Sequence, residues 1–299
     1  MSNTSYNAVS SKRRVLLTVG TAKEGSPFAK VLEDLGCQVY MSSPTRVEEL
    51  EQLLDLLGPT VLVMTDPFES DFLSTFRRIK TPPHRALLPV VVAAEVQDRH
   101  VLLRSGVEAV LDHPTTSGDL AAAVAGILER VAILNQHKEI DDLTGAYTAA
   151  AALERLDHEV ARARRYRRQG CVSLIDLDNY ERVREGVGEL SADAGLRRFA
   201  QILRSELRET DLIGRVGEGD RFMVMMPDTD LAGAVQAMRR VLAVIGCANV
   251  DVPGGQRVTL AASAGAGSFG TDSPDAILAR VGTAIDEAKD SGGGTLFTA

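Results

Sequence analysis

The residues with the clearest chemical potential lie in one glycine-rich stretch, residues 208–222, in the second half of the chain. Its centre, Val-Gly-Glu-Gly-Asp ending at Asp220, separates two apolar runs and predicts a β-hairpin, because glycine tolerates the positive φ of a tight reversal. Such a turn also lets a phosphate reach backbone N–H groups without obstruction by a side chain. By itself the turn is a weak indication, since most glycine turns between strands only reverse the chain.

A second acidic position follows an apolar run further upstream. Residues 172–175 are Val-Ser-Leu-Ile and lead directly into Asp176, with Asp178 two residues later. Aspartates at strand ends are commonly solvated surface acids, and Asp176 and Asp220 would be interpreted in that way if they stood alone. The motifs that surround the pair decide between a surface role and a functional one.

Composition limits the classes of function. A chain of 299 residues with 44% hydrophobic and 25% charged residues is typical of a soluble globular protein of about two domains. The net charge of −8 argues against bulk nucleic-acid binding. No apolar run is long enough to span a bilayer, and residues 1–12 lack the apolar core of a signal peptide. We therefore expect a cytoplasmic protein with a short disordered tail over residues 1–12.

Residues 13–117 alternate short apolar strands with helical patterns. Because the apolar runs are continuous rather than alternating, they predict strands buried on both faces, as in a parallel sheet covered by helices. The chain is therefore expected to begin with a doubly wound, five-stranded parallel α/β domain of flavodoxin-like type. The predicted strands are residues 15–19, 38–41, 61–64, 89–93 and 109–111.

This arrangement resembles the receiver domain of bacterial response regulators, from residue 13 to about residue 130. In that family an acidic pair binds magnesium, and an aspartate at the end of the third strand is phosphorylated. Here Thr65 stands at the phosphoacceptor position, Asp66 follows one position late, and the acidic pair is missing. Without those carboxylates magnesium cannot neutralise the incoming phosphoryl charge. We expect a pseudo-receiver that is not phosphorylated in the usual way, unless its loop brings Asp66 into place.

An apolar seam marks the connection between the two halves. On the helix predicted over residues 117–139, apolar residues recur with spacings of four, three, four and three, as in a coiled coil. The first part of the seam is expected to pack on the sheet, whereas the part beyond Leu128 needs a partner. Residues 118–140 are therefore predicted to be a linker helix that forms a parallel coiled coil in a homodimer. The seam consists of Leu120, Val124, Ile127, Val131 and Leu134.

The second half, residues 141–299, carries several motifs in a consistent order. Residues 141–145 read Asp-Asp-Leu-Thr-Gly, residues 176–180 read Asp-Leu-Asp-Asn-Tyr, residues 263–265 read Ser-Ala-Gly, and residues 284–292 form a helical pattern that ends in glycine. Together with the hairpin, they resemble the GGDEF domain of diguanylate cyclases, which condense two GTP molecules into cyclic di-GMP. The resemblance implies an α+β fold of nucleotidyl-cyclase type, with a central, mainly antiparallel sheet flanked by helices.

The resemblance also implies that Asp176 and Asp220 stand at the two positions that hold Mg²⁺ when GTP is bound. Other family residues are replaced: Arg221 reverses the charge of an acidic residue, Glu218 is inserted between the two glycines, and Arg184 replaces the asparagine that reads guanine. An extra turn residue re-aims Asp220, and a misplacement of about 1 Å can cost roughly a hundredfold in rate. We therefore expect Asp176, Asp220 and Glu218 to be vestiges of a catalytic site.

One family site is retained before the hairpin. The product-inhibition site of the family is an Arg-x-x-Asp motif, which here is Arg208 and Asp211. A further arginine of that site falls at Arg240, with Arg239 beside it. Arginine can donate two hydrogen bonds to guanine O6 and N7, and aspartate can accept from guanine N1–H and N2–H. We expect these residues to bind cyclic di-GMP, although an isolated Arg208–Asp211 pair would only be a helix-end ion pair worth about 0.3–0.5 kcal/mol.

Three functions stay open at this point. The leading prediction is a signalling effector that binds cyclic di-GMP and acts on an unidentified downstream protein, without a nucleic-acid or membrane partner. The retained carboxylates Asp176 and Asp220 support a second possibility, an active diguanylate cyclase under product inhibition. The third is an interaction scaffold that binds no nucleotide.

Overall fold

The described residues form two compact units, one that ends before residue 138 and one that begins at Lys138. No described helix is both long and apolar enough to cross a membrane. The computed structural model describes residues 13–20, 22–65, 72–96, 99–136, 138–178, 180–217, 219–252 and 256–299.

Strands and helices alternate along the first unit, as the sequence predicts. Their bounds are β1 (Arg14–Thr18), α1 (Ala22–Asp34), β2 (Gln38–Ser42), α2 (Val47–Leu57), β3 (Val61–Met64), α3 (Phe72–Lys80), β4 (Val90–Val92), α4 (Arg99–Ser105), β5 (Ala109–Val110) and α5 (Ser117–Gln136).

All strand pairs of this sheet are parallel, in the order β2-β1-β3-β4-β5. The doubly wound, five-stranded fold predicted from the sequence is confirmed. Strands β1, β3 and β4 are buried along their whole length, because helices pack on the faces of a parallel sheet and leave its central strands no contact with solvent.

The apolar seam of α5 is buried in the first part of the helix and exposed at its end. Leu120, Val124 and Ile127 are at most 3% exposed and belong to the core beneath the sheet. Ile133 and Leu134, one to two turns later, are 57% and 65% exposed. The first part of the seam therefore packs on the sheet, as expected, and its last residue, Leu134, is exposed, as is the neighbouring Ile133. A partner helix for these residues remains a prediction.

The second unit begins with a short segment that bridges to its sheet and then continues in regular elements. Their bounds are α6 (Ala149–Tyr166), β6 (Gly170–Leu177), α7 (Tyr180–Val187), α8 (Glu189–Glu206), β7 (Leu212–Val216), β8 (Arg221–Pro227), α9 (Leu231–Gly246), β9 (Asn249–Val252), β10 (Gln256–Thr259), β11 (Ala262–Ser268), α10 (Pro274–Asp290) and β12 (Leu296–Thr298).

The central sheet of this unit has the order β12-β11-β6-β8-β7. The pairs β11–β6, β6–β8 and β8–β7 are antiparallel, and β12 adds to β11 in parallel. Strands β9 and β10 form a separate two-stranded hairpin. The mainly antiparallel sheet flanked by helices, expected from the sequence, is confirmed.

Side chains along β6 point alternately to the two faces of the sheet, and this alternation determines on which face Asp176 lies. Val172 and Leu174 pack into the core that α6 and α10 cover, whereas Cys171 and Ile175 pack into the core on the opposite face. Side chains two residues apart in a strand share a face, so Asp176 lies on the side of α10. That helix approaches the sheet closely: a Cβ atom on Gly265 of β11 would lie 2.4 Å from the carbonyl oxygen of Val281.

Candidate functional site

The carboxylate of Asp176, at the end of β6, is 3% exposed and is held by two cations. Its Oδ2 atom accepts hydrogen bonds from Nε and Nη2 of Arg221, at 3.2 and 3.0 Å, and from Nζ of Lys289 at 2.8 Å. Arg221 reaches Asp176 because the two residues are paired across β6 and β8, and Lys289 reaches it from the last turn of α10. We call Asp176, Arg221 and Lys289 the Asp176 cluster.

Asp220 lies beside this cluster and is partly buried. Burial raises its pKa to about 7, the negative charge of Asp176 acts in the same direction, and the positive charge of Lys289 opposes the shift. Two carboxylates close together disfavour each other's ionised form. The structure therefore brings together Asp176 and Asp220, the two acids that the sequence singled out.

The charges at this site do not fit a divalent metal. The carboxylate of Asp176 is already engaged by the two cations Arg221 and Lys289, which both donate to its Oδ2 atom. Mg²⁺ takes oxygen ligands at about 2.0–2.1 Å, and at that distance from the carboxylate it would be repelled by both cations. Asp176 Oδ1 is one of several buried side-chain atoms of the described residues that lack a hydrogen-bond partner. Among the described residues, no three or more His, Cys, Asp or Glu side chains are grouped so that they could hold a metal ion.

The hairpin turn is tied to the first motif of the unit by Arg215, a buried residue that sequence reasoning did not single out. Arg215 donates from Nε to the carbonyl oxygen of Gly219 at 2.8 Å and from Nη1 to Asp141 at 3.2 Å. A charged residue in an otherwise apolar strand just before the turn is the signal that could have identified it. Gly217 and Gly219 have φ values of 75° and 125°, as the turn requires, and Glu218 lies outside the described residues.

A cavity of about 400 Å³ opens beside the end of α10. Asp178 lines it and accepts a hydrogen bond from the backbone N–H of Gly294 at 2.8 Å. Gly292, Gly293 and Gly294 all have positive φ and contribute no side chain to the cavity. The lining of the cavity consists of Asp178, Arg182, Ala261 and the three glycines.

Arg208 and Asp211 lie just before β7, and Arg240 of α9 is near enough to influence the charge of Asp211. The Oδ2 atom of Asp211 accepts a hydrogen bond from the backbone N–H of Arg208 at 3.0 Å, and the N–H of Asp211 donates to the carbonyl of Arg208 at 2.9 Å. Burial raises the pKa of Asp211, and the charges of Arg208 and Arg240 oppose the shift, so both guanidinium groups lie within electrostatic reach of this carboxylate. We call these three residues the Arg208 site.

Neighbouring arginines on α9 reach different places. Arg240 pairs with Glu206 at the end of α8, on the side of the Arg208 site. Arg239 instead lines a separate recess of about 290 Å³ next to residues 294–296, which lead into the opposite edge strand, β12. Successive residues of a helix point about 100° apart, and binding of cyclic di-GMP by Arg239 stays a prediction.

Comparison with known proteins decides the family of the second unit. The family model described as diguanylate cyclase, GGDEF domain, matches residues 138–295. The chain belongs to the GGDEF family.

Relatives with curated functions extend this family assignment. Diguanylate cyclase DgcP of Pseudomonas aeruginosa is 30% identical over 189 residues, which cover 58% of this chain and 28% of DgcP. Response regulator PleD of Caulobacter vibrioides is 28% identical over 253 residues, which cover 79% of this chain and 56% of PleD. The chain thus spans about half or less of the length of these two relatives. The solved structure of the GGDEF domain of TpbB from Pseudomonas aeruginosa is 28% identical in sequence, with a TM-score of 0.51. The match covers 54% of this chain and 94% of the TpbB chain.

At two places this chain carries residues that differ from the GGDEF pattern. Arg184, at the position where the family reads guanine with asparagine, forms an ion pair at 2.5 Å with Glu181 on the same helix. Gly293 and Gly294 stand where the family carries Arg-Asn, and their φ values of 76° and 67° favour glycine.

In the first unit, the threonine that the receiver resemblance places at the phosphoacceptor position makes a hydrogen bond to the backbone. Thr65, just after β3, donates from Oγ1 to the carbonyl oxygen of Thr18 at 2.9 Å. Thr18 itself is buried and donates to the carbonyl of Val63 at 3.4 Å. These hydroxyl groups are satisfied within the strands. Asp66, the alternative acceptor, lies outside the described residues.

Proposed function

We propose that this protein is a signalling effector that binds cyclic di-GMP through the Arg208 site of a GGDEF domain whose cyclase site is inactive. In this proposal the first unit is a degenerate receiver domain, and the protein is a cytoplasmic homodimer that acts on a downstream protein partner. The likeness to the response regulator PleD over 79% of the chain supports the receiver assignment.

The observation that carries the loss of activity is the Asp176 cluster. Cyclase chemistry of the family requires a metal ion on this carboxylate to activate a hydroxyl group and to stabilise the leaving pyrophosphate. Here Arg221 and Lys289 take that position, and Asp220 carries a pKa of about 7. A guanidinium group can balance charge, but it supplies no coordination sites on which two GTP molecules could be aligned.

Ligand binding is supported by the chemistry of the Arg208 site. Two arginines and one aspartate offer donors for guanine O6 and N7 and an acceptor for guanine N1–H and N2–H. The backbone turn between Arg208 and Asp211 holds the carboxylate in place. Each group therefore has a counterpart on a guanine base.

Calorimetry with cyclic di-GMP tests the proposal on the full chain. We expect binding in the micromolar range or tighter, and at least a tenfold loss in Arg208→Ala. Arg239→Ala is the matched control, since it removes an arginine near Arg240 that lines a different recess. Absence of binding at tens of micromolar, or undiminished binding by Arg208→Ala, would refute the proposal.

An active diguanylate cyclase is the second candidate, favoured by the proximity of Asp176 and Asp220 and by the activity named for DgcP. Incubation with GTP and Mg²⁺ or Mn²⁺ separates the two functions. Turnover to cyclic di-GMP that Asp220→Ala abolishes would establish this candidate in place of the inactive effector.

A scaffold without nucleotide ligands is the third candidate. It would be supported by a protein that binds neither GTP nor cyclic di-GMP and still dimerises. Identification of any nucleotide released on denaturation of the purified protein separates the scaffold, which releases none, from the two functions that bind nucleotide, and the GTP incubation separates those two.

A further inference from the structure

Glu206, the last residue of α8, makes two contacts with Arg240 of α9. Arg240 Nε donates to the Oε2 atom of Glu206 at 3.1 Å, and Arg240 Nη2 donates to the backbone carbonyl oxygen of the same residue. The carbonyl belongs to the C-terminal end of a helix, where the partial charge is negative and favours a cation. Glu206 therefore holds one edge of the guanidinium group at two points.

The other edge of this guanidinium group stays available. Arg240 is 52% exposed at its side chain, whereas Glu206 is 23% exposed. The Nη1 amino group of Arg240 has no acceptor within the described part of the chain. A guanidinium group carries five N–H donors in one plane, so the contacts with Glu206 leave the Nη1 side of the plane free to form two parallel hydrogen bonds.

We infer that Glu206 is a positioning residue that orients Arg240 for recognition of a guanine edge, an inference that rests on the proposed binding of cyclic di-GMP. An unanchored arginine loses rotational freedom when it binds, and that loss weakens affinity. When Glu206 already holds the guanidinium group of Arg240, the free N–H donors are oriented before the ligand binds. The Asp211 carboxylate lies within electrostatic reach of Arg240.

A double-mutant cycle in the full chain tests this role. Calorimetry with cyclic di-GMP compares the unmodified protein, Glu206→Ala, Arg240→Ala and the double variant. We expect Glu206→Ala to weaken binding by about five- to tenfold, and to have no further effect once Arg240 is alanine, because Glu206 acts through Arg240. Glu206→Gln, which keeps an acceptor oxygen without charge, should lose only about two- to threefold.

The outcomes separate this inference from the function on which it rests. If the unmodified protein does not bind cyclic di-GMP, the proposed function fails and the inference with it. If the unmodified protein binds and Glu206→Ala binds equally well or more tightly, only the role of Glu206 is refuted. If Glu206→Ala weakens cyclic di-GMP binding by the same factor whether residue 240 is arginine or alanine, Glu206 has a general structural role. That result would also overturn the inference.

Discussion

Asp176 and Arg221 are direct partners across β6 and β8, and Nη2 of Arg221 lies 3.0 Å from Oδ2 of Asp176. Residues paired in this way in an antiparallel sheet share a face with their Cβ atoms about 4.5–5.5 Å apart. A single charge reversal in the hairpin is therefore enough to place a cation on the buried carboxylate, without any rearrangement of the sheet.

Arg221→Glu should create affinity for a divalent metal at this carboxylate. The substitution removes the guanidinium group from Asp176 and adds a third carboxylate, and oxygen-rich, anionic sites favour Mg²⁺ and Mn²⁺. Titration with Mn²⁺, followed by electron paramagnetic resonance, should give at least a tenfold tighter Kd than in the unmodified protein. Arg165→Glu, the same charge change on an exposed part of α6, is the control and should leave Mn²⁺ binding unchanged. Equal binding by both variants would contradict the account of the Asp176 cluster.

Asp220→Asn should stabilise the protein at alkaline pH. The pKa of Asp220 is about 7 in the folded protein against an ordinary value of 3.8, so between these values the unfolded chain binds fewer protons than the folded one. The free energy of unfolding therefore falls as pH rises from about 4 to about 7. Each pKa unit corresponds to about 1.4 kcal/mol, and we expect a gain of about 1–3 kcal/mol at pH 8 and less at pH 5. Urea unfolding in metal-free buffer at both pH values measures the difference.

Binding of cyclic di-GMP should weaken on acidification in a range set by Asp211. Its carboxylate must be ionised to accept hydrogen bonds from guanine, and burial raises its pKa above the ordinary value. Affinity is therefore expected to be full near neutral pH and to fall as pH decreases through this raised pKa. Calorimetry between pH 4.5 and 7.5 follows the loss. The variant Asp211→Asn should bind weakly and with little dependence on pH; a pH profile identical to that of the unmodified protein would exclude Asp211 as the titrating group.

Leu134→Glu should disrupt a dimer formed through α5. Leu134 is 65% exposed at the end of the apolar seam, and a buried, unpaired charge would oppose coiled-coil packing. Light scattering should show a shift from dimer to monomer, with the free energy of unfolding of the first unit changed by no more than about 0.5 kcal/mol. Leu87→Glu, at an 86% exposed position of the same unit, is the control. A dimer that survives Leu134→Glu would place the contact elsewhere.

Gly265→Ala should destabilise the GGDEF domain by about 2–4 kcal/mol. The new methyl group would lie 2.4 Å from the carbonyl oxygen of Val281 and 2.7 Å from the backbone nitrogen of Ile285, so α10 would have to move away from β11. Gly186→Ala meets no atom within 4 Å and serves as the control. Thermal unfolding of the two variants should differ clearly; equal melting temperatures would mean that α10 can shift at little cost.

Much of the fold could be read from local patterns. The continuous apolar runs at residues 61–64 and 109–111 predicted buried parallel strands, because only a sheet covered on both faces makes such runs favourable. The spacing of glycines around Asp220 predicted the hairpin, and the structure has those glycines at positive φ. These features depend on residues close together in the chain, so the sequence alone determines them.

The identity of the partners at each site depended on residues far apart in the chain. Asp176 meets Lys289, 113 residues away, and Arg240 meets Glu206, 34 residues away; sequence spacing contains no information on such distances. The motif predicted that Asp176 and Asp220 share a site, but only the pairing of β6 with β8 directed Arg221 onto that carboxylate. Likewise, Arg239 and Arg240 are neighbours in the sequence, and only the fold sets Arg240 against Glu206 and Arg239 at the recess next to residues 294–296.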